Sequence, residues 1–172
     1  MKTTYLLTTQ SLSFLLYKKN ITSLPVVLCI GTDRIIGDSL GPLTGSILSK
    51  ALPALPVYGT LENTVHALNL KQVNEQIKKK HPHSLVIAVD ASLGSCEHIH
   101  SVFVRSGSIL PGSGVSKSLP STGDIAITGI VNTESSHPYL TLQTSRLSIV
   151  AEMAWQIADC LLQVLTPYCP SE

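Results

Sequence analysis

Apolar residues fall along the chain in two rhythms, and the alternation between them predicts the architecture. Pro25 introduces the unbroken run Val26, Val27, Leu28, Cys29 and Ile30, which ends in Gly31. A short apolar run closed by glycine reads as a strand buried on both faces. Residues 31–38 form a turn, and from Ser39 the spacing becomes helical, with Leu40, Leu43, Ile47, Leu48 and Ala51 on one side. Pro42 fits the first turn of that helix, where backbone donors lack partners in any case. Pro53 and Pro56 bracket its exit, and residues 57–60 predict a second strand. Asn63 or Thr64 then caps a helix whose buried face is Val65, Leu68, Val73 and Ile77, ended by residues 81–83. The run 85–89 is the third strand and leads straight into Asp90.

This β-α-β-α-β order with wholly apolar strands predicts a mostly parallel sheet covered by helices on both faces, a three-layer α/β/α sandwich. Alternation over residues 98–105 predicts a further strand, as does the run 124–131; between them, residues 107–123 are a long loop rich in Gly, Ser and Pro. After Pro138 one long helix is expected to Leu165, with Leu147, Val150, Met153, Ala154, Ile157, Leu161 and Leu165 as its stripe. Leu12, Leu15, Leu16 and Ile21 give the lead, residues 1–24, a short helix packed on the core. No internal repeat or linker divides residues 25–166, so one domain is expected over residues 1–172.

Composition narrows the function classes. A chain of 172 residues, 44% hydrophobic and 13% charged, can bury a real core without disulfides or a structural metal. The net charge of +1 sets up no basic field, so nucleic acid is not an expected partner. The one basic run, Lys78, Lys79 and Lys80, is the favourable end of a helix dipole. No stretch of about 18 apolar residues predicts a membrane span, and the interrupted apolar patches of the lead make a poor secretory signal. Cys29, Cys96, Cys160 and Cys169 form no CxxC and read as free thiols of a reducing, cytoplasmic compartment.

Candidate chemistry sits where two strands end. In open α/β sheets ligands bind beyond the carboxyl ends of the strands. If the first and third strands are neighbours, Asp38 and Asp90 face each other across one crevice. Such a pair can share a proton and activate water, hold a divalent metal ion, or divide into one substrate-binding and one turn-orienting group. Asp38 can instead cap the helix that opens at Ser39. Asp33 and Arg34 suit a surface ion pair, and Arg34 can also reach into the crevice toward a substrate carboxylate or carbonyl. Thr32, Gly37 and Ser39 line the turn and can offer backbone donors to a developing oxyanion. Ser92 follows Asp90, and Lys117, in the loop with Ser113, Ser116 and Ser118, can meet the carboxylates or an acidic substrate. His98 and His100 would share a face of a surface strand. His137 is a candidate third ligand or base. No GxGxxG or GxxxxGK[ST] spacing accompanies the first glycine turn, which disfavours phosphate binding.

The residues 29–34 (Cys, Ile, Gly, Thr, Asp, Arg), 37–42 (Gly, Asp, Ser, Leu, Gly, Pro) and 89–94 (Val, Asp, Ala, Ser, Leu, Gly) resemble the YyaC-type sporulation proteins. The likeness continues through residues 111–117, 119–120, 123–132 and 142–148, and so spans about residues 26–150. These proteins are relatives of the spore germination protease and, in fold, of the hydrogenase-maturation endopeptidases. The resemblance implies a phosphorylase/hydrolase-like α/β fold. By motif it places on Asp38 and Asp90 the two aspartates that the germination protease needs to cleave small acid-soluble spore proteins. It places there also two acidic nickel ligands of the endopeptidases, whose histidine ligand finds no matched position. The short lead leaves little room for the propeptide of the germination protease.

The combined expectation is a peptidase-type hydrolase of the sporulating cell or spore interior. Its expected catalytic pair is Asp38 and Asp90, with Thr32, Arg34, Gly37, Ser39, Ser92 and Lys117 around the substrate. The expected partner is a protein or peptide such as a small acid-soluble spore protein, with no membrane; a homo-oligomer and a divalent metal ion stay open. The alternative is a non-catalytic peptide- or metal-binding protein.

Overall fold

The computed structural model describes residues 3–21, 23–111 and 121–169. Its strands are β1 (Thr4–Leu6), β2 (Val26–Cys29), β3 (Val57–Tyr58), β4 (Val86–Gly94), β5 (Val102–Ser106) and β6 (Ile125–Thr133). Its helices are α1 (Thr9–Lys18), α2 (Leu40–Ala51), α3 (Leu70–Lys80), α4 (Pro138–Gln143) and α5 (Leu147–Leu165).

The six strands form one sheet in the order β1-β5-β6-β4-β2-β3. The four strands β6, β4, β2 and β3 run parallel, while β5 and β1 extend the sheet antiparallel. Side chains alternate between the two faces of a strand. Val27, Cys29, Ile87, Val89, Ile125 and Ile127 therefore pack under α1, α2 and α5, in the larger core cluster. Val26, Leu28, Ile30, Ala88 and Ala126 face the other way, onto Leu70 and Ile77 of α3 and onto Ile109. The three-layer α/β/α sandwich is thus present.

From β2 the chain winds outward through α2 to β3, then back across the opposite face through α3 to β4. The order of strands therefore reverses between β2 and β4, and a crevice opens there beyond their carboxyl ends. Close packing fixes α2 over it. A Cβ on Gly41 would lie 2.1 Å from the Ile30 carbonyl oxygen, so this helix rests directly on backbone.

Several elements differ from expectation. The three-residue strand β1 was not anticipated; α1, closed by the reciprocal Thr8 and Ser11 capping box, was. The helix expected from residue 65 begins only at Leu70, and Leu68 is 80% exposed. The Asn69 side chain delays it, accepting from the His66 N–H and donating to the Thr64 carbonyl. β5 begins at Val102, so His98 and His100 share no strand face: His98 lies in a 3-10 turn edge-on to Phe103, and His100 has a left-handed backbone and pairs with Glu152. The long helix after Pro138 is two. The Asn132 amide donates to Thr141 O, and the Ser145 hydroxyl bonds back to the same carbonyl, closing α4 before α5 starts. Residues 147–168 are long and apolar enough to cross a bilayer, but half of that window is buried, with α5 packed on α1, α2 and β6.

Candidate functional site

Asp38 lies in a 3-10 turn, Gly37–Ser39, that leads into α2. It does not cap that helix. Its Oδ2 accepts instead from the Thr32 N–H at 2.9 Å, drawing the turn back on itself. Gly31 permits this closure: its φ is +141°, and a Cβ there would lie 1.9 Å from the Asp38 carbonyl oxygen. Gly37 sits against Leu142 O and Ser145 Oγ of the α4 end, and a Cβ would meet both at 2.9 Å.

Asp90 is on β4, level with Thr128 of β6 and on the α3 face of the sheet. The strand does not end there, as the sequence suggested, but continues through residue 94. Asp90 is 8% exposed. Burial first and the Asp38 charge second hold its carboxyl well above the ordinary carboxylate range, while the Ala91 amide pulls the other way. Burial also raises Asp38, against the lowering effects of the Thr32 N–H and of His66. A buried and a half-buried carboxyl group that repel one another bind a first proton more tightly than either would alone. The Thr32 donor favours charge on Asp38, so Asp90 is the group of the pair that binds a proton more tightly.

Both aspartates line one open cleft of about 1280 Å³. Thr32, Arg34 and Ser92 of the expected residues line it as well. The Thr32 amide is committed to Asp38, and its hydroxyl accepts from the Arg34 N–H. Arg34 and Asp33 form no ion pair; His100–Glu152 is the one such pair among the described residues. Gly37 and Ser39 are buried behind the wall, and the Ser39 hydroxyl donates to Ile36 O. Lys117, with Ser113, Ser116 and Ser118, lies outside the described residues. His137 is exposed, bonded to Ser136, and is not on the cleft wall.

The cleft contains residues that sequence reasoning did not single out. His66 follows Val65, which bridges to Ile30 and accepts the Gly31 N–H. Its Nδ1 accepts from the Leu68 N–H, which leaves Nε2 as the ring's donor. Arg105 of β5 lines the same wall, held by a bond to Ser108 O. The signal available for His66 was its place beyond the carboxyl end of β3, the second parallel strand along the chain.

As a metal site the arrangement is incomplete. No group of three or more His, Cys, Asp or Glu placed to hold an ion occurs among the described residues. The two carboxyl groups, both raised and Asp90 the further, suit acid–base chemistry.

Comparison with known proteins agrees with this architecture. The crystal structure of a NiFe hydrogenase maturation protease, HycI from Thermococcus kodakarensis KOD1, is similar with a TM-score of 0.60, covering 91% of this chain and 99% of that one at 16% identity. At that identity the likeness speaks for the fold. The uncharacterized protein YyaC of Bacillus subtilis (strain 168) is 47% identical over 137 residues, 79% of this chain and 67% of that protein. The family model described as a protein of unknown function, DUF1256, matches residues 3–160. The chain therefore belongs to the DUF1256 family, as its relative YyaC and its protease-like fold are consistent with.

Proposed function

We propose that this protein is a peptidase-type hydrolase whose general acid–base pair is Asp90 and Asp38. The carrying observation is the unequal carboxyl pair in an open cleft at the sheet's switch point. Asp38, as carboxylate, takes a proton from water as the water oxygen attacks the peptide carbonyl carbon. Asp90 gives its proton to the carbonyl oxygen, forming a neutral gem-diol. Collapse of the gem-diol breaks the C–N bond; the amine leaves with the proton held by Asp38, and the second hydroxyl proton returns to Asp90. His66, whose Nδ1 accepts from the Leu68 N–H, can donate Nε2–H to the substrate oxygen. The solved structural neighbour is a protease, which supports the reaction class, and the resemblance to sporulation proteins supports spore proteins as substrates.

The test is cleavage of a purified small acid-soluble spore protein, with and without added divalent metal, by the wild type, Asp38→Asn and Asp90→Asn. Each variant should lose about 10²–10⁴-fold in kcat, the usual contribution of a positioned acid or base. Full activity in both variants would remove the pair from the chemistry. Dependence of the wild type on added metal would replace the acid–base mechanism with a metal-assisted one.

A further inference from the structure

Strand β4 has two neighbours for only half its length. On the β2 side the ladder stops at Cys29 opposite Val89, with a last bond from the Ile30 N–H to Val89 O. On the β6 side pairing continues through Asp90, Ala91, Ser92, Leu93 and Gly94. The direction of each main-chain group is fixed by its partners. Leu85 O and Val89 O accept from β2, whereas Val86 O and Gly94 O accept from Asp124 and Glu134 at the two ends of β6. Odd-numbered residues therefore address the β2 side, and even-numbered ones the β6 side. Ala91 and Leu93 consequently turn their main chain toward the place that β2 vacates; the Ala91 N–H is taken by the Asp90 carboxyl, so what they offer a partner is the Ala91 carbonyl, the Leu93 N–H and the second lone pair of the Leu93 carbonyl, which also accepts from the Ser92 hydroxyl. Both line the cleft and are partly exposed. An unpaired strand edge is a template for another extended chain.

We propose that the edge of β4 at Ala91 and Leu93 is a docking rail for an extended peptide, which adds to the sheet where β2 stops and lies across Asp90 and Asp38. The rail extends about 13 Å from Asp90 to Gly94 at a rise of about 3.3 Å per residue, the span of a pentapeptide. An extended peptide is the occupant that the edge fits, because what it offers is main-chain donors and acceptors at strand spacing, inside a cleft too open for a small molecule to fill. Recognition is mainly through the peptide backbone, with alternate side chains directed toward the Arg105 and His66 walls. That the bound segment is cut rests on the peptidase reading; that it binds as a strand does not.

The test uses the full chain carrying Asp90→Asn, so that a bound peptide persists. A displayed library of random heptapeptides is selected on it, and one selected peptide is synthesised with each backbone nitrogen methylated in turn. Strand addition predicts alternation: methylation at every second residue weakens binding about tenfold or more, and at intervening residues by less than about threefold. Amide exchange at Leu93 should slow by about tenfold or more on binding. Leu93→Pro deletes a donor that β6 does not use, so the fold should persist while peptide affinity falls. If that variant does not fold, the methylation series still decides. Failure to select any peptide, a methylation series without alternation, or unchanged exchange at Leu93 would overturn the rail. Slowing that appears with rising protein concentration and no peptide would assign the edge to a second copy of this chain. Alternating methylation sensitivity in a peptide that the wild type does not cleave would retain the rail and remove the peptidase reading.

Discussion

The two halves of β4 share one backbone and differ in almost everything else. From Val86 to Val89 the strand lies between β2 and β6, and its apolar side chains are sealed by helices on both faces. From Asp90 to Gly94 it keeps β6 alone, its surface is partly open, and it carries a buried carboxyl, a serine and a bulge between Ser92 and Leu93. The first half supplies rigidity, and the second uses it. A carboxyl can be held out of water at residue 90 because the four residues before it cannot move.

This contrast predicts unequal costs for the same truncation. Ile87→Ala, in the closed half, should destabilise the chain by about 2–5 kcal/mol in chemical denaturation. Leu93→Ala, in the open half, should cost about 1 kcal/mol. Equal losses would mean that both halves are core.

The pH dependence of stability sharpens the boundary at Asp90. Its folded-state pKa is raised, so the folded chain binds a proton that the unfolded chain has released. The stability associated with that proton is fully present below the ordinary carboxylate range and is lost as pH rises toward the folded value. The slope is at most about 1.4 kcal/mol per pH unit. Asp90→Asn removes this loss. Its melting temperature should exceed that of the wild type near neutral pH, and the gap should close toward pH 4. A constant gap would show that Asp90 does not hold the proton.

Thiol accessibility compares the halves directly. Cys29 lies opposite Val89 in the closed half, and burial pushes its thiol far up. Ser92→Cys places a thiol in the open half. In native buffer the new thiol should react with a maleimide on the order of a hundredfold faster than Cys29, read by mass spectrometry after digestion. As the smallest effect, Glu152→Gln breaks the exposed pair with His100, away from both halves, and should change stability by less than about 1 kcal/mol.

How much of this was legible follows from what each residue needs. The strands at 26–30 and 85–89 are unbroken apolar runs because they are sealed on both faces, and no other reading fits them. The helix from Leu40 follows from its spacing. Facing carboxyl groups follow from two strand ends, given that the strands are neighbours. The extension of β4 past Asp90 was not legible, since a polar residue after an apolar run resembles an ending, and its pairing depends on β6 some forty residues later. β1 escaped notice because an edge strand of three residues carries almost no periodic signal. The split between α4 and α5 comes from the Asn132 side chain, a tertiary bond that local spacing does not encode. His66 reaches the site only because Val65 bridges to Ile30.

The pairing of β1 has a consequence for how the chain is made. Thr4 lies opposite Arg105, so β1 leaves the ribosome about a hundred residues before its partner. At about 5–20 residues per second, β1 waits on the order of 5–20 s before β5 exists. Its neighbour α1 carries Phe14 and Tyr17, which stay exposed even after docking. The segment β1–α1 is therefore made early and settles late, and during that interval the growing chain offers a ready surface to whatever handles nascent proteins in the cell.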